Sequence, residues 1–214
     1  MKHLIPYLQD DQKAADYLRH VRWPDGVTCP RCDSAAVAPR ERCDNGLQRF
    51  NCVPCAARWG QQFAMFTDWT GSIFEESKLS PRDWLLVMGL WQLKLNATDI
   101  AAAADIQERT AQRCINLLDG GIYETYHLDP TRSLEHQMEG IWAGLRNFLD
   151  RFKGISQRFL HLCVARYEFL HNHGHLHWRQ TFEAFLRSIF STTGDYLRRM
   201  AHQHRRMPRT LCYP

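Results

Sequence analysis

Apolar positions recur at helical spacing through much of the chain. Ser80-Pro81-Arg82-Asp83 sets out a helix start in the expected order, with Ser as N-cap, Pro at the first helical position and an acid in the first turn. Trp84, Leu85, Val87, Met88, Leu90, Trp91 and Leu95 then continue for about three turns, which predicts a helix buried on much of its surface. From Ala97 to Leu118 the pattern is a short Ala-rich helix, a break at Asp105, and a second helix with Ala111, Cys114, Ile115 and Leu118 facing inward. Phe182, Phe185, Leu186, Ile189 and Phe190 mark an amphipathic helix that starts near Trp178. Gln48-Arg49-Phe50-Asn51 instead alternates like a strand, and Asp44-Asn45-Gly46 supplies the turn of a hairpin. Gly120-Gly121 and Asp129-Pro130 are turn signals. The fold class expected is mainly α with a small N-terminal β ribbon. Its divisions are an N-terminal helix (1–20), the ribbon (21–76), a helix-turn-helix region (77–127) and a C-terminal helical region (128–214).

With 214 residues, 44% of them hydrophobic, the chain is long enough to bury a core. A net charge of +4 permits a nucleic-acid partner without demanding one. No apolar run reaches the roughly 18 residues of a membrane span, and acids stand among the first residues where a signal peptide needs a basic and then an apolar stretch. The expectation is a cytoplasmic protein with no membrane partner.

Cysteine usage sharpens the picture. Cys29-Pro30-Arg31-Cys32 is followed after 19 residues by Cys52-Val53-Pro54-Cys55, within the spacing of roughly 15 to 20 residues that separates paired zinc knuckles. Two residues between thiolates let one tight turn aim both sulfurs at a single ion. Two such turns supply a closed tetrahedron suited to structural Zn2+, with no position left open for catalysis. Cys43 lacks a Cys-x-x-Cys partner and reads as a bystander, while Cys114 and Cys163 sit alone in helical patterns. Arg31, Arg40, Arg42, Arg49 and Arg58 give the ribbon a basic cast, as compatible with solvated surface as with DNA.

If the second helix of the 97–118 pair packs as its apolar positions imply, Gln107, Arg109, Thr110, Gln112, Arg113 and Asn116 lie toward its open side. These side-chain types read base edges and phosphates, although an ordinary solvated helix face has the same composition. Asp105 stands where such a motif often has Gly, and it tolerates left-handed geometry less readily than Gly but better than most residues.

The run Tyr17-Leu18, Arg22-Trp23-Pro24-Asp25-Gly26-Val27-Thr28-Cys29-Pro30-Arg31-Cys32, then Cys52-Val53-Pro54-Cys55, then Gly71-Ser72-Ile73-Phe74-Glu75-Glu76-Ser77-Lys78-Leu79 and Trp84, resembles the N-terminal half of IS1595 (ISXO2-like) insertion-sequence transposases. The likeness covers roughly residues 5–120, with a second block at roughly 131–172. It implies a zinc ribbon, a helix-turn-helix and an RNase H-like catalytic domain that cuts and joins DNA ends with acidic residues and two divalent metals, Mg2+ or Mn2+. In the second block Glu139 matches the family's helix Glu and Trp142 its Trp. His136 falls where the family usually has Asn or Glu as the third metal-binding residue, and Arg146 where Lys is usual. His136 and Glu139 are therefore the catalytic positions that the resemblance carries over.

Only 15 residues separate Leu118 from Leu134, too few for the sheet of an RNase H-like domain. Asp119, Glu124 and Asp129 are candidate replacements for the lost acids, but they read more simply as turn and cap residues. The expected protein is a DNA-binding transposase relative with its catalytic centre deleted, the helix-turn-helix joined directly to a helical remnant of the nuclease domain. Alternatives are an active metal-dependent transposase or nuclease, and an interaction module that regulates a full-length transposase or pairs with itself. Two further segments stand apart. His171, His173, His175 and His177 alternate, which in an extended segment puts four imidazoles on one side, as a metal site or as a polar loop. The stretch from Tyr196 to the end has no acid and carries Arg198, Arg199, Arg205, Arg206 and Arg209 with His202 and His204, a candidate phosphate contact.

Overall fold

The computed structural model describes residues 2–125, 138–150 and 159–191. A short 3-10 turn at Lys2–Leu4 leads to α1 (Asp11–Arg22), where the side chain of Asp10 accepts from the Lys13 amide and caps the helix. The ribbon follows as β1 (Val37–Arg42), β2 (Gln48–Cys52), α2 (Val53–Trp59), α3 (Gln61–Ala64) and β3 (Met65–Thr67). Its strands form one antiparallel sheet in the order β1-β2-β3, with Ala38 opposite Asn51 and Phe50 opposite Phe66. The hairpin turns through Asp44-Asn45-Gly46 as the sequence implies. Gly46 has φ +80°, and a Cβ there would come within 2.8 Å of the α1 backbone at Asp11 and Gln12, so only glycine fits this close approach.

Helix α4 (Pro81–Gln92) begins on its expected cap, the Ser80 hydroxyl accepting from the Asp83 amide. It ends at Gln92, so Leu95 lies beyond it, and Trp84, Leu85, Val87, Met88, Leu90 and Trp91 are all buried. Next come α5 (Ala97–Ala104) and α6 (Glu108–Thr125), then α7 (Met138–Leu149), α8 (Leu160–Asn172) and α9 (Trp178–Ser191). Helices α1, α4, α5, α6, α8 and α9 share one apolar core, to which Leu47, Trp69, Ile73 and Phe74 from the ribbon half also contribute. The ribbon keeps a second, small core of Phe50, Phe66, Ala64 and the cysteines Cys29, Cys52 and Cys55. Such a cluster is too small to hold a fold without a further cross-link.

Two local expectations give way to packing. Gly120 and Gly121 do not turn the chain: both are buried inside α6, which runs on past them to Thr125. Helix α6 packs on α8 and α9, and this tertiary packing outweighs the weak helix propensity of the two glycines. For the same reason Asp119 is neither turn nor cap but a buried helical residue, 2% exposed. Residues 126–137, which include Asp129, His136 and most of the short connector, lie outside the described residues, as does the basic stretch from Tyr196 onward. Among the described residues the three ribbon strands make the only sheet.

Candidate metal centre and helical face

Each cysteine pair is aimed by local structure. Cys29 and Cys32 sit on a turn closed by two backbone bonds, Asp33 N to Cys29 O at 2.9 Å and Cys29 N to Ser34 O at 3.0 Å. Asp33 takes φ +57° there, a left-handed geometry that Asp tolerates better than most residues. Cys52 ends β2 and caps α2, and Cys55 lies in that helix's first turn. Val53 N donates to Ala36 O and fastens the second pair to the start of β1.

The four ligand atoms lie within 4.8 Å of one another. Cys29 and Cys55 sulfurs are 3.7 Å apart, and Cys32 lies 3.5 Å from both Cys52 and Cys55. Zinc–thiolate bonds of about 2.3 Å in a tetrahedron place sulfurs about 3.8 Å apart, whereas a disulfide needs about 2 Å. The spacing fits a shared Zn2+ and rules out bonded pairs. The Ser34 amide draws the Cys32 thiol below its ordinary value, while burial pushes Cys52 and Cys55 up. Buried thiols resist ionisation unless a cation shares the site, and the donor set therefore suits Zn2+ held by Cys29, Cys32, Cys52 and Cys55. Cys43 packs against the larger core instead.

The ribbon is clamped to α1 by contacts that the sequence pattern did not reveal. Arg19 donates to Asp68 through Nε to Oδ1 at 2.6 Å and through Nη2 to Oδ2 at 2.8 Å. Asp68, 2% exposed, also accepts from the Gln48 amide at 2.7 Å. Arg22 donates to the carbonyls of Asp68 and Thr70 and lies over the Trp23 ring at 4.2 Å. Nothing in the spacing marks Asp68. Its partners stand 49 and 20 residues away, and only the fold brings them together.

In the helical half, Asp105 closes α5 in the left-handed region, φ +53° and ψ +46°, and Ala111, Cys114, Ile115 and Leu118 are buried. Gln107, Arg109, Gln112 and Arg113 are exposed, and Thr110 and Asn116 half-buried. Gln112 donates to Asn116 Oδ1 at 2.9 Å along this face. Five of the six residues singled out for DNA contact thus belong to one helix with a buried opposite side, and Gln107 immediately precedes it.

Glu139 belongs to α7, and His136 lies outside the described residues. The histidines form no extended row. His171 lies in the last turn of α8 and stacks on Tyr167 at 5.7 Å, His173 stacks on Phe169 at 4.2 Å, and Nδ1 of His177 accepts from the Arg179 amide at the start of α9. A helix end and a turn replace the alternating segment, so the four rings do not share a side. Among the described residues the four cysteines are the only group of three or more potential ligands that converges. Among the described residues, too, no helix is long and apolar enough to cross a membrane.

Residues 9–58 match the transposase zinc-ribbon domain of the IS1595 family. The chain is also 30% identical over 155 residues to an uncharacterized protein in the transposable element ISH50 of Halobacterium salinarum. That alignment takes in 69% of this chain and 49% of the relative, so the chain spans about half the length of the curated relative it matches. No solved structure matches the chain. Joined to the cysteine geometry, the ribbon match and this mobile-element relative support kinship with the IS1595-family transposases.

Proposed function

We propose that this chain is a DNA-binding member of the transposase family that holds DNA through α6 and lacks strand-transfer chemistry of its own. The observation that carries the reading is the two-sided character of α6. Its apolar side is locked into the core, and Arg109 and Arg113, one helical turn apart, stand exposed with Gln112, and with Gln107 just ahead of the helix. In this reading α5 and α6 act as a helix-turn-helix, α6 lies in the major groove, and zinc keeps the ribbon folded beside it.

The chemistry is withheld for a spatial reason. In-line attack at a phosphodiester needs two metal ions about 4 Å apart, held by carboxylates on a rigid frame. Asp119, which lies within α6 itself, is committed to the core. The family's central sheet has no room in the short stretch between Leu118 and Leu134. A truncated catalytic domain of this kind leaves the chain to bind DNA alone or beside a full-length transposase or a second copy, with Mg2+ or Mn2+ needed only by a partner's site.

Fluorescence anisotropy on labelled duplexes at several salt concentrations tests the reading. Arg109→Ala and Arg113→Ala should each weaken binding, by roughly 1–3 kcal/mol where the side chain reads a guanine edge, and evenly across sequences where it touches phosphate. Duplex affinity unchanged in the double variant would remove α6 from the interface.

A further inference from the structure

We propose that the outer face of the ribbon, at the α2–α3 junction, is a separate surface for an unpaired DNA strand, with Trp59 and Phe63 stacking on its bases. The proposal rests on the reading that the chain binds DNA, but on different residues. Trp59 is 43% exposed and Phe63 51%, and neither belongs to the ribbon's small core, which is complete without them. Met65, 37% exposed, follows on β3. Large rings left in water beside a core that does not use them point to a partner.

The presentation of these rings is built. Arg31, from the first zinc knuckle, donates to the carbonyls of Phe63 at 2.7 Å and Met65 at 3.0 Å, and so ties the segment carrying Phe63 to the metal site. Arg58 places its guanidinium 4.9 Å from the centre of the Trp59 ring and backs that ring with positive charge. Between the two aromatics Gly60 has φ +89°, and a Cβ there would meet nothing within 4 Å, so the backbone leaves the approach open.

Charge selects the partner. From Gln48 to Thr67 the chain contains no acid, while Arg49 and Arg58 are exposed. Asp68, the next carboxylate, is buried and paired with Arg19. Asp33 and Glu41 belong to the first knuckle and to β1. Aromatic rings among arginines suit a polyanion with flat apolar bases. A duplex hides its base faces in the stack, whereas an unpaired strand offers them, and stacking of this kind tolerates any sequence.

The test uses the full zinc-loaded chain, a labelled 20-nucleotide oligo(dT) and a 20-base-pair duplex, read by anisotropy, with zinc content confirming that each variant is folded. Trp59→Ala and Phe63→Ala should each lower oligo(dT) affinity by about 5- to 100-fold and leave duplex affinity within about two-fold of the parent. Trp59→Phe keeps a ring and should restore most of the loss. Arg109→Ala with Arg113→Ala should show the opposite pattern, so failure of the α6 reading is distinguishable from failure of this one. Unchanged oligo(dT) affinity in a zinc-replete Trp59→Ala, Phe63→Ala chain overturns the proposal. Conversion of a dimer to a monomer by the same pair, without loss of oligo(dT) affinity, also overturns it and assigns the face to a second copy. If the double variant loses zinc, Trp59→Leu, which keeps apolar bulk without an aromatic face, gives the decisive comparison.

Discussion

The indole Nε1 of Trp91 on α4 donates to Oδ1 of Asp119 on α6 at 2.6 Å, with both residues buried. Arg166 on α8 completes the cluster, its Nη2 donating to the Trp91 carbonyl at 2.5 Å and its guanidinium lying 4.7 Å from the Trp91 ring centre. A carboxylate, an indole and a guanidinium thereby join three helices where an apolar core would otherwise run unbroken. Burial pushes the Asp119 carboxyl up to about 6, against the opposing pull of Arg166 and of the Trp91 hydrogen bond.

The raised value gives a pH dependence with a definite sign. Folded Asp119 holds its proton up to about pH 6, while unfolded Asp releases it near 4. The folded state therefore binds the extra proton in that window, and this group's contribution to stability falls as pH rises through it. Relative to Asp119→Asn, the parent chain should lose on the order of 1–3 kcal/mol between pH 4.5 and 7.5. Denaturant midpoints at both pH values measure it, and a pH-independent difference between the two proteins refutes it.

The clamp between α1 and the ribbon should be worth more than a surface pair. Asp68→Ala removes the buried carboxylate from Arg19, whose side chain is 17% exposed and keeps only the more exposed Asp16, and should cost about 3 kcal/mol. Arg42→Ala breaks a pair with Asp16 that is 30% and 43% exposed, and should cost under about 1 kcal/mol. Urea unfolding of the two variants checks the ordering, and equal losses count against a special role for Asp68.

Zinc removal should unfold the ribbon and spare most of the helical signal. Four thiolates supply the cross-link that the small ribbon core lacks, and the helices have a core of their own. Chelation, or Cys32→Ser, should abolish the ribbon's near-ultraviolet signature and release one zinc per chain. Identical spectra after complete zinc release would show that packing alone holds the ribbon.

Purified chain incubated with supercoiled DNA and Mn2+ should leave the plasmid intact. Two-metal cleavage needs several converging carboxylates, and Asp119 is spent on Trp91. Nicking by the parent that vanishes in Glu139→Ala would establish a working site built around α7.

What the sequence determined by itself was whatever local spacing controls. The two Cys-x-x-Cys turns aim four sulfurs at one point, Ser80 and Pro81 start α4, and the apolar period from Ala111 to Leu118 settles which side of α6 is buried. Each depends on residues within a turn or two of one another, so a one-dimensional pattern records it. Tertiary structure decided the rest. Asp119-Gly120-Gly121 looks like a turn in isolation and becomes helix because α8 and α9 press on it. Asp68 gains its meaning from Arg19, 49 residues away, and His171 to His177 lose theirs when α8 continues into the segment. Trp59 and Phe63 look in sequence like any other core aromatics. Only the completed ribbon core, filled by Phe50, Phe66 and the cysteines, leaves them in solvent, because a small closed cluster has no volume for two more rings.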